Sequence, residues 1–236
     1  MQHPTKSIVN AVRDAVAAAL MVSVLGYASY LMLEPGLIIG QSATDQFVVD
    51  QVIGSEISFL STASDVTLAT IGGVTGGASQ GFTSVRVYTN DTAGFTMTIT
   101  ASNSPAMLGV SQGGSIANYT PSVANIPDYT YATNTTGQSA EFGYTVSAST
   151  TSHLAQKFLD NGSNACNTGS ADTNGTSTCW YNLSTTATST IVTTGPSAIS
   201  GASSTLTFRV HVPANPSPAL PEDTYRATST LTATTN

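Results

Sequence analysis

Leu206-Thr207-Phe208-Arg209-Val210-His211-Val212 places apolar residues at even positions and polar ones at odd positions. A two-residue period marks a β-strand with one dry face and one wet face. The period returns further on, where Tyr225, Ala227, Leu231 and Ala233 alternate with Arg226, Thr228, Thr230 and Thr232. Residues 204–212 and 224–234 therefore read as a closing hairpin. The expected fold is all-β: an antiparallel β-sandwich of jelly-roll or Ig-like type.

Working outward, residues 83–101 carry the same signature. Val85 and Val87 face inward, Arg86 and Tyr88 outward, and Asn90-Asp91-Thr92-Ala93-Gly94 supplies a turn. Phe95, Met97, Ile99 and Ala101 then return on the dry face with threonines between them, which predicts a second hairpin. Phe142, Tyr144, Val146 and Ala148 give another strand, Ile191-Val192 a weaker one, and residues 153–159 a short helix or a bend. Between them, residues 102–140 show no alternation; Pro105, Pro121 and Pro127 punctuate an excursion carrying Tyr119, Tyr129 and Tyr131. Upstream, residues 46–60 are longer than a typical strand of about five or six residues. Either Gly54-Ser55 bends that stretch or its first half leaves the domain.

Before this lies an apolar segment. Lys6 and Arg13 precede residues 15–33, a run of 19 residues without a charge. Residues 15–25 have the length of a secretory h-region, with small-x-small sites at Gly26-Tyr27-Ala28 and Gln41-Ser42-Ala43. A retained membrane anchor is the competing reading, since 19 residues nearly span a bilayer. The expected organisation is a signal peptide or anchor over 1–43, then one β-sandwich domain over 44–236 with a long insertion at 102–140 and a Cys-closed loop at 160–182. Export implies an extracellular or cell-surface location, with the membrane touched only through the N-terminal segment.

Composition narrows the function. Only 8% of residues are charged and the net charge is −7 with six basic residues, so nucleic-acid binding, which needs a Lys/Arg patch, is excluded. Cys166 and Cys179 lie 13 positions apart, and an even cysteine count in an exported chain predicts a disulfide between them. Such a loop contributes about 3 kcal/mol in the chain-entropy model. Two thiols and three scattered histidines do not make a zinc site. Asp160-Asn161-Gly162-Ser163 and Asp172-Thr173-Asn174-Gly175 are read as Asx turns before Ca²⁺ loops, for want of a bidentate Glu at the twelfth position.

Catalysis finds little support. His211 sits on the polar face of a strand, His153 neighbours no GxSxG, and Glu222-Asp223 lie in a Pro-rich turn. The glycines of residues 72–77 lack the GK[ST] ending of a phosphate loop. No enzyme activity, metal or cofactor is expected. Asn-x-Ser/Thr sequons stand at Asn90, Asn118, Asn134, Asn161, Asn174 and Asn182, and matter only in a host that glycosylates exported proteins.

The apolar leader, the residue 47–59 stretch, the 85–101 pattern and the ending Tyr225-Arg226-Ala227-Thr228-Ser229-Thr230-Leu231-Thr232-Ala233-Thr234 resemble small exported prokaryotic β-sandwich surface proteins. Within that group the chain resembles TasA/camelysin-type biofilm-fibre subunits and, less closely, WxL-type surface proteins. It has no WxL tripeptide; its single tryptophan, Trp180, is followed by Tyr181 and Asn182. The fibre resemblance implies a sandwich with an open groove filled by a neighbour's N-terminal strand. Residues 44–53 follow either cleavage site and are apolar on both faces, as in a doubly buried strand. Phe47, Val49 and Ile53 are the candidate donor residues for a homopolymer, unless the segment is simply the first strand of its own domain. The alternative function is a monomeric surface adhesin that binds glycan or a partner through the Tyr-rich excursion and the Cys loop.

Overall fold

The computed structural model describes residues 5–33, 43–132, 138–173, 178–185, 189–195 and 198–236. The chain divides into two units, Met1–Val52 and Ile53–Asn236. The first contains helix α1, Thr5–Leu33. Its Val9–Tyr30 stretch has a mean hydropathy of 1.5, is not buried at all, and is long and apolar enough to cross a membrane. The site at Gly26-Tyr27-Ala28 falls within this helix. Most of the second site, Gln41 and Ser42, lies outside the described residues.

Strands are the main regular structure of the second unit. They are β1 (Ile57–Ser61), β2 (Gly77–Thr89), β3 (Phe95–Ala101), β4 (Met107–Gly109), β5 (Ser115–Asn118), β6 (Glu141–Ala148), β7 (Tyr181–Asn182), β8 (Ser189–Gly195), β9 (Ala198–Val212), β10 (Tyr225–Ala227) and β11 (Ser229–Thr235). Among the described residues one sheet runs β1-β2-β9-β6-β5-β4-β10 with β7 beside β6, and another runs β11-β3-β8. Among the described strand pairs only β5–β6 is parallel.

The dry faces lie where alternation puts them, although Phe208 is only half-buried. Leu206, Val210 and Val212 are buried, as are Phe95, Met97, Ile99 and Ala101, and Val85 with Val87. These residues share one core cluster with Tyr144, Val146 and Ile191, so both sheets contribute to it. Phe142 and Phe208 stack at 5.9 Å across the β6–β9 ladder.

The pairings differ from those expected. Residues 204–212 and 224–234 are not a hairpin: β9 pairs with β2 and β6, β10 with β4, and β11 with β3. Alternation fixes which face is dry and leaves the neighbour open, and the connector with Pro213, Pro216, Pro218 and Pro221 carries the chain across to the other end of the sheet. Tyr225 to Ala233 keep one parity, yet the chain changes sheets at Thr228. Likewise 83–101 is no hairpin. The turn forms, with Gly94 N–H donating to Asp91 O at 3.0 Å and Ala93 N–H to Asp91 Oδ1 at 2.9 Å, but it leads β2 in one sheet to β3 in the other.

Residues 102–140 are no bare excursion either. They hold β4 and β5, which join β10 to β6. These strands have three and four residues, too short to show a period. Residues 151–153 and 156–158 form two single turns of 3₁₀-helix. Within β9, the irregular pairing opposite Val87–Thr89 contains Gly201 at φ +83°, a left-handed conformation that glycine adopts without a Cβ clash.

Candidate functional site

The odd-numbered face of β9 is not open to water as its polar residues suggest. Thr207 lies opposite Thr145, Arg209 opposite Gly143 and His211 opposite Glu141. Every residue from Glu141 to Val146 is buried, so β6 is covered on both faces. The cover comes from the Tyr-rich excursion and the Cys loop, which meet in a two-way backbone bridge. Asp128 N–H donates to Trp180 O at 3.0 Å and Trp180 N–H to Asp128 O at 2.8 Å. The Asp128 carboxylate also accepts the Tyr119 hydroxyl and the Ser122 N–H. The Tyr131 hydroxyl donates to Glu141 O at 2.9 Å. Tyr119 and Tyr131 rings lie 4.5 Å apart, and Tyr131 meets Trp180 edge-on at 5.2 Å. Burial, then the bond to Asp128, pushes the Tyr119 hydroxyl well above its usual range. Burial does the same to Tyr131.

An open cleft of about 450 Å³ lies in this cover, lined by Gln80, Tyr129, Thr130, Tyr131, Thr178 and Arg209, with Trp180 in its wall. The Arg209 guanidinium sits 4.8 Å from the Tyr131 ring centroid and 6.0 Å from that of Trp180. Stacking on rings leaves guanidinium N–H groups to bond in its own plane. Arg209 forms no ion pair among the described residues, and its buried Nε has no hydrogen-bond partner among them. His211 Nδ1 is likewise buried without a partner among the described residues. Burial and then the Arg209 charge hold its imidazole below the usual range. The sequence reading took this face as solvated. The available signal was the single Trp next to Cys179, with Arg209 among only six basic residues.

Cys166 and Cys179 are bonded, with Cα atoms 5.6 Å apart. Asp160 organises the loop they close. Its Oδ1 accepts Gly162 N–H at 2.7 Å, and its Oδ2 accepts Thr173 N–H at 3.0 Å and the Thr173 hydroxyl at 2.8 Å. Desolvation opposes its ionisation, but these three bonds outweigh it and hold the carboxyl below its usual range. The Asp160 carboxylate is thus spent on an Asx turn and on Thr173. Asn174 and Gly175 lie outside the described residues, as does the sequon at Asn134.

The candidate donor residues are elsewhere. Phe47, Val49 and Ile53 are 83%, 80% and 82% exposed, and residues 43–56 belong to no strand. The chain becomes fixed just beyond them. Asn90 Nδ2 donates to Gly54 O at 3.0 Å, and Glu56 N–H donates to Asn90 Oδ1 at 2.7 Å. The side chain of the Asn90 sequon is therefore engaged in holding Glu56 at the start of β1.

One further cluster has chemistry in it. Lys157 Nζ donates to Ser189 Oγ at 2.6 Å and lies 4.5 Å from the Tyr181 ring centroid, while the Tyr144 hydroxyl donates to the same Oγ at 2.7 Å. Burial lowers the Lys157 pKa from 10.5 to about 8. Ser189 accepts both bonds and is only 6% exposed, so it serves to satisfy a half-buried ammonium. No protein-family model, curated protein or solved structure matches the chain.

Proposed function

We propose that the chain is an exported, non-enzymatic structural protein of the cell surface. Its two sheets face each other as a β-sandwich, and residues 44–53 add a strand to a neighbouring copy. One observation carries this reading: Phe47, Val48, Val49, Val52 and Ile53 are each at least 80% exposed on a stretch with no strand partner. Five large apolar side chains in a row of ten, left in water, are a segment awaiting a surface. Among the described residues no backbone–backbone bond engages residues 44–53, which leaves their ladder groups able to pair with a sheet edge. Edges exist at β1, which pairs only with β2, and at β11, which pairs only with β3, among the described residues. An apolar N-terminal helix and a disulfide agree with passage through an oxidising compartment. A donated strand is a head-to-tail contact, and such contacts build open filaments of the biofilm-fibre kind. Negative-stain microscopy and sedimentation of the purified protein test this. Filaments that pellet are expected; a monomer at high concentration contradicts it.

The second reading is a surface-displayed binding module. The cleft over Arg209 favours it, because the Tyr-rich excursion and the Cys loop come together there. It expects a monomer with a saturable ligand.

A further inference from the structure

Resting on that second reading, the ligand class of the cleft can be named from its walls. A volume of about 450 Å³ lies within the range of small-ligand pockets, roughly 300–1,000 Å³. Its lining combines the rings of Tyr129 and Tyr131, the latter already packed on Arg209, with an amide from Gln80, a hydroxyl from Thr130, the buried Thr178 and one cation, Arg209. Gln80 and Thr130 are exposed at the rim, and Arg209 is half-buried below them. Among the described residues no carboxylate pairs with Arg209, although the chain carries 13 acidic residues against six basic ones. A guanidinium held in place by two rings has already lost its rotamer freedom, which lowers the cost of binding a planar anion. A carboxylate offers two oxygens that match that fork, as phosphate does, and carboxylate is the one of the two that saccharides carry as part of the sugar ring unit itself. Amides and hydroxyls around it suit the hydroxyls of a sugar ring, and aromatic faces suit its C–H faces.

We propose that this cleft binds a carboxylate-bearing saccharide, a hexuronate unit, with its carboxylate on Arg209 and its hydroxyls on the exposed Gln80 and Thr130. Trp180, the chain's single tryptophan, lies in the cleft wall and reports occupancy by its fluorescence. Full-length protein in detergent is titrated with digalacturonate, with the uncharged disaccharide galactobiose and with tetraglutamate. Digalacturonate should change the emission saturably, at least tenfold more tightly than either of the others. Arg209→Met should weaken it at least tenfold, and Arg209→Lys should recover little because the fork is lost. Gln80→Ala, at an exposed position that leaves folding intact, should weaken it several-fold and decides the matter if Arg209→Met does not fold. Equal binding of galactobiose, full affinity in a folded Arg209→Met, or, where Arg209→Met does not fold, full affinity in Gln80→Ala overturns the assignment. Saturation by tetraglutamate alone overturns it too, while leaving a binding module that recognises acidic protein. Silence toward all three probes removes both the assignment and the second reading.

Discussion

Gly143 and Arg209 face each other across the β6–β9 ladder, and the missing side chain of one makes room for the cover over the other. A Cβ at Gly143 would lie 2.9 Å from Tyr119 Cβ and 3.1 Å from its Cγ. Tyr119 in turn packs on Tyr131, which packs on Trp180 and on Arg209.

Gly143→Ala is therefore expected to destabilise the domain by about 1–3 kcal/mol, as overpacking does. Alanine's better backbone entropy in a strand, about 0.5–1 kcal/mol, is too small to offset it. The obstacle is the root of a buried ring and not the end of a flexible chain. Denaturant midpoints measure the loss, and Trp180 emission should shift in the folded variant. Unchanged stability and emission would show that Tyr119 does not lie on Gly143.

Leu206→Ala should cost about 2–5 kcal/mol, because the side chain is wholly buried in the core cluster. Thr207→Ala, on the half-covered face, should cost about 0.5 kcal/mol. Equilibrium unfolding of both variants checks this, and equal losses would mean that the strand's faces are misassigned.

Stability should pass through a maximum on the alkaline side. Lys157 titrates at about 8 in the folded chain against 10.5 ordinarily, because burial disfavours its charge. Below about 8 the lysine is protonated in both states and the penalty is fully present. Between about 8 and 10.5 the unfolded chain holds a proton that the folded one has released, so stability rises with pH. Tyr119, Tyr131 and Tyr144 act in the opposite sense above 10, where they ionise only in the unfolded chain. Denaturant midpoints from pH 7 to 11 should rise and then fall. Lys157→Met should abolish the rise and keep the fall; a rise that survives the substitution has another source.

Much of this molecule was legible before its structure. The dry faces of 206–212, 95–101 and 225–233 follow from alternation, since a pleated strand has no other way to bury every second residue. Their partners do not follow. Asp91 to Gly94 makes a good turn whether the chain pairs back on itself or crosses to another sheet, and parity is satisfied either way. The cleft was hidden for a related reason. Arg209 and His211 look solvated on their own strand, and what covers them comes from Tyr119 to Tyr131 and from Trp180, far along the chain. Phe47 to Ile53 could be read as apolar on both faces, but composition alone could not separate an internal strand from one left unpaired.

The most direct measurement is the assembly state of a chain lacking residues 44–52, compared with the intact protein by sedimentation and negative-stain microscopy. Donation of that segment predicts that the intact protein forms filaments, while the deleted chain stays a soluble, folded monomer with its β-sheet circular dichroism intact. A deletion that unfolds the domain, or one that polymerises as before, would contradict it.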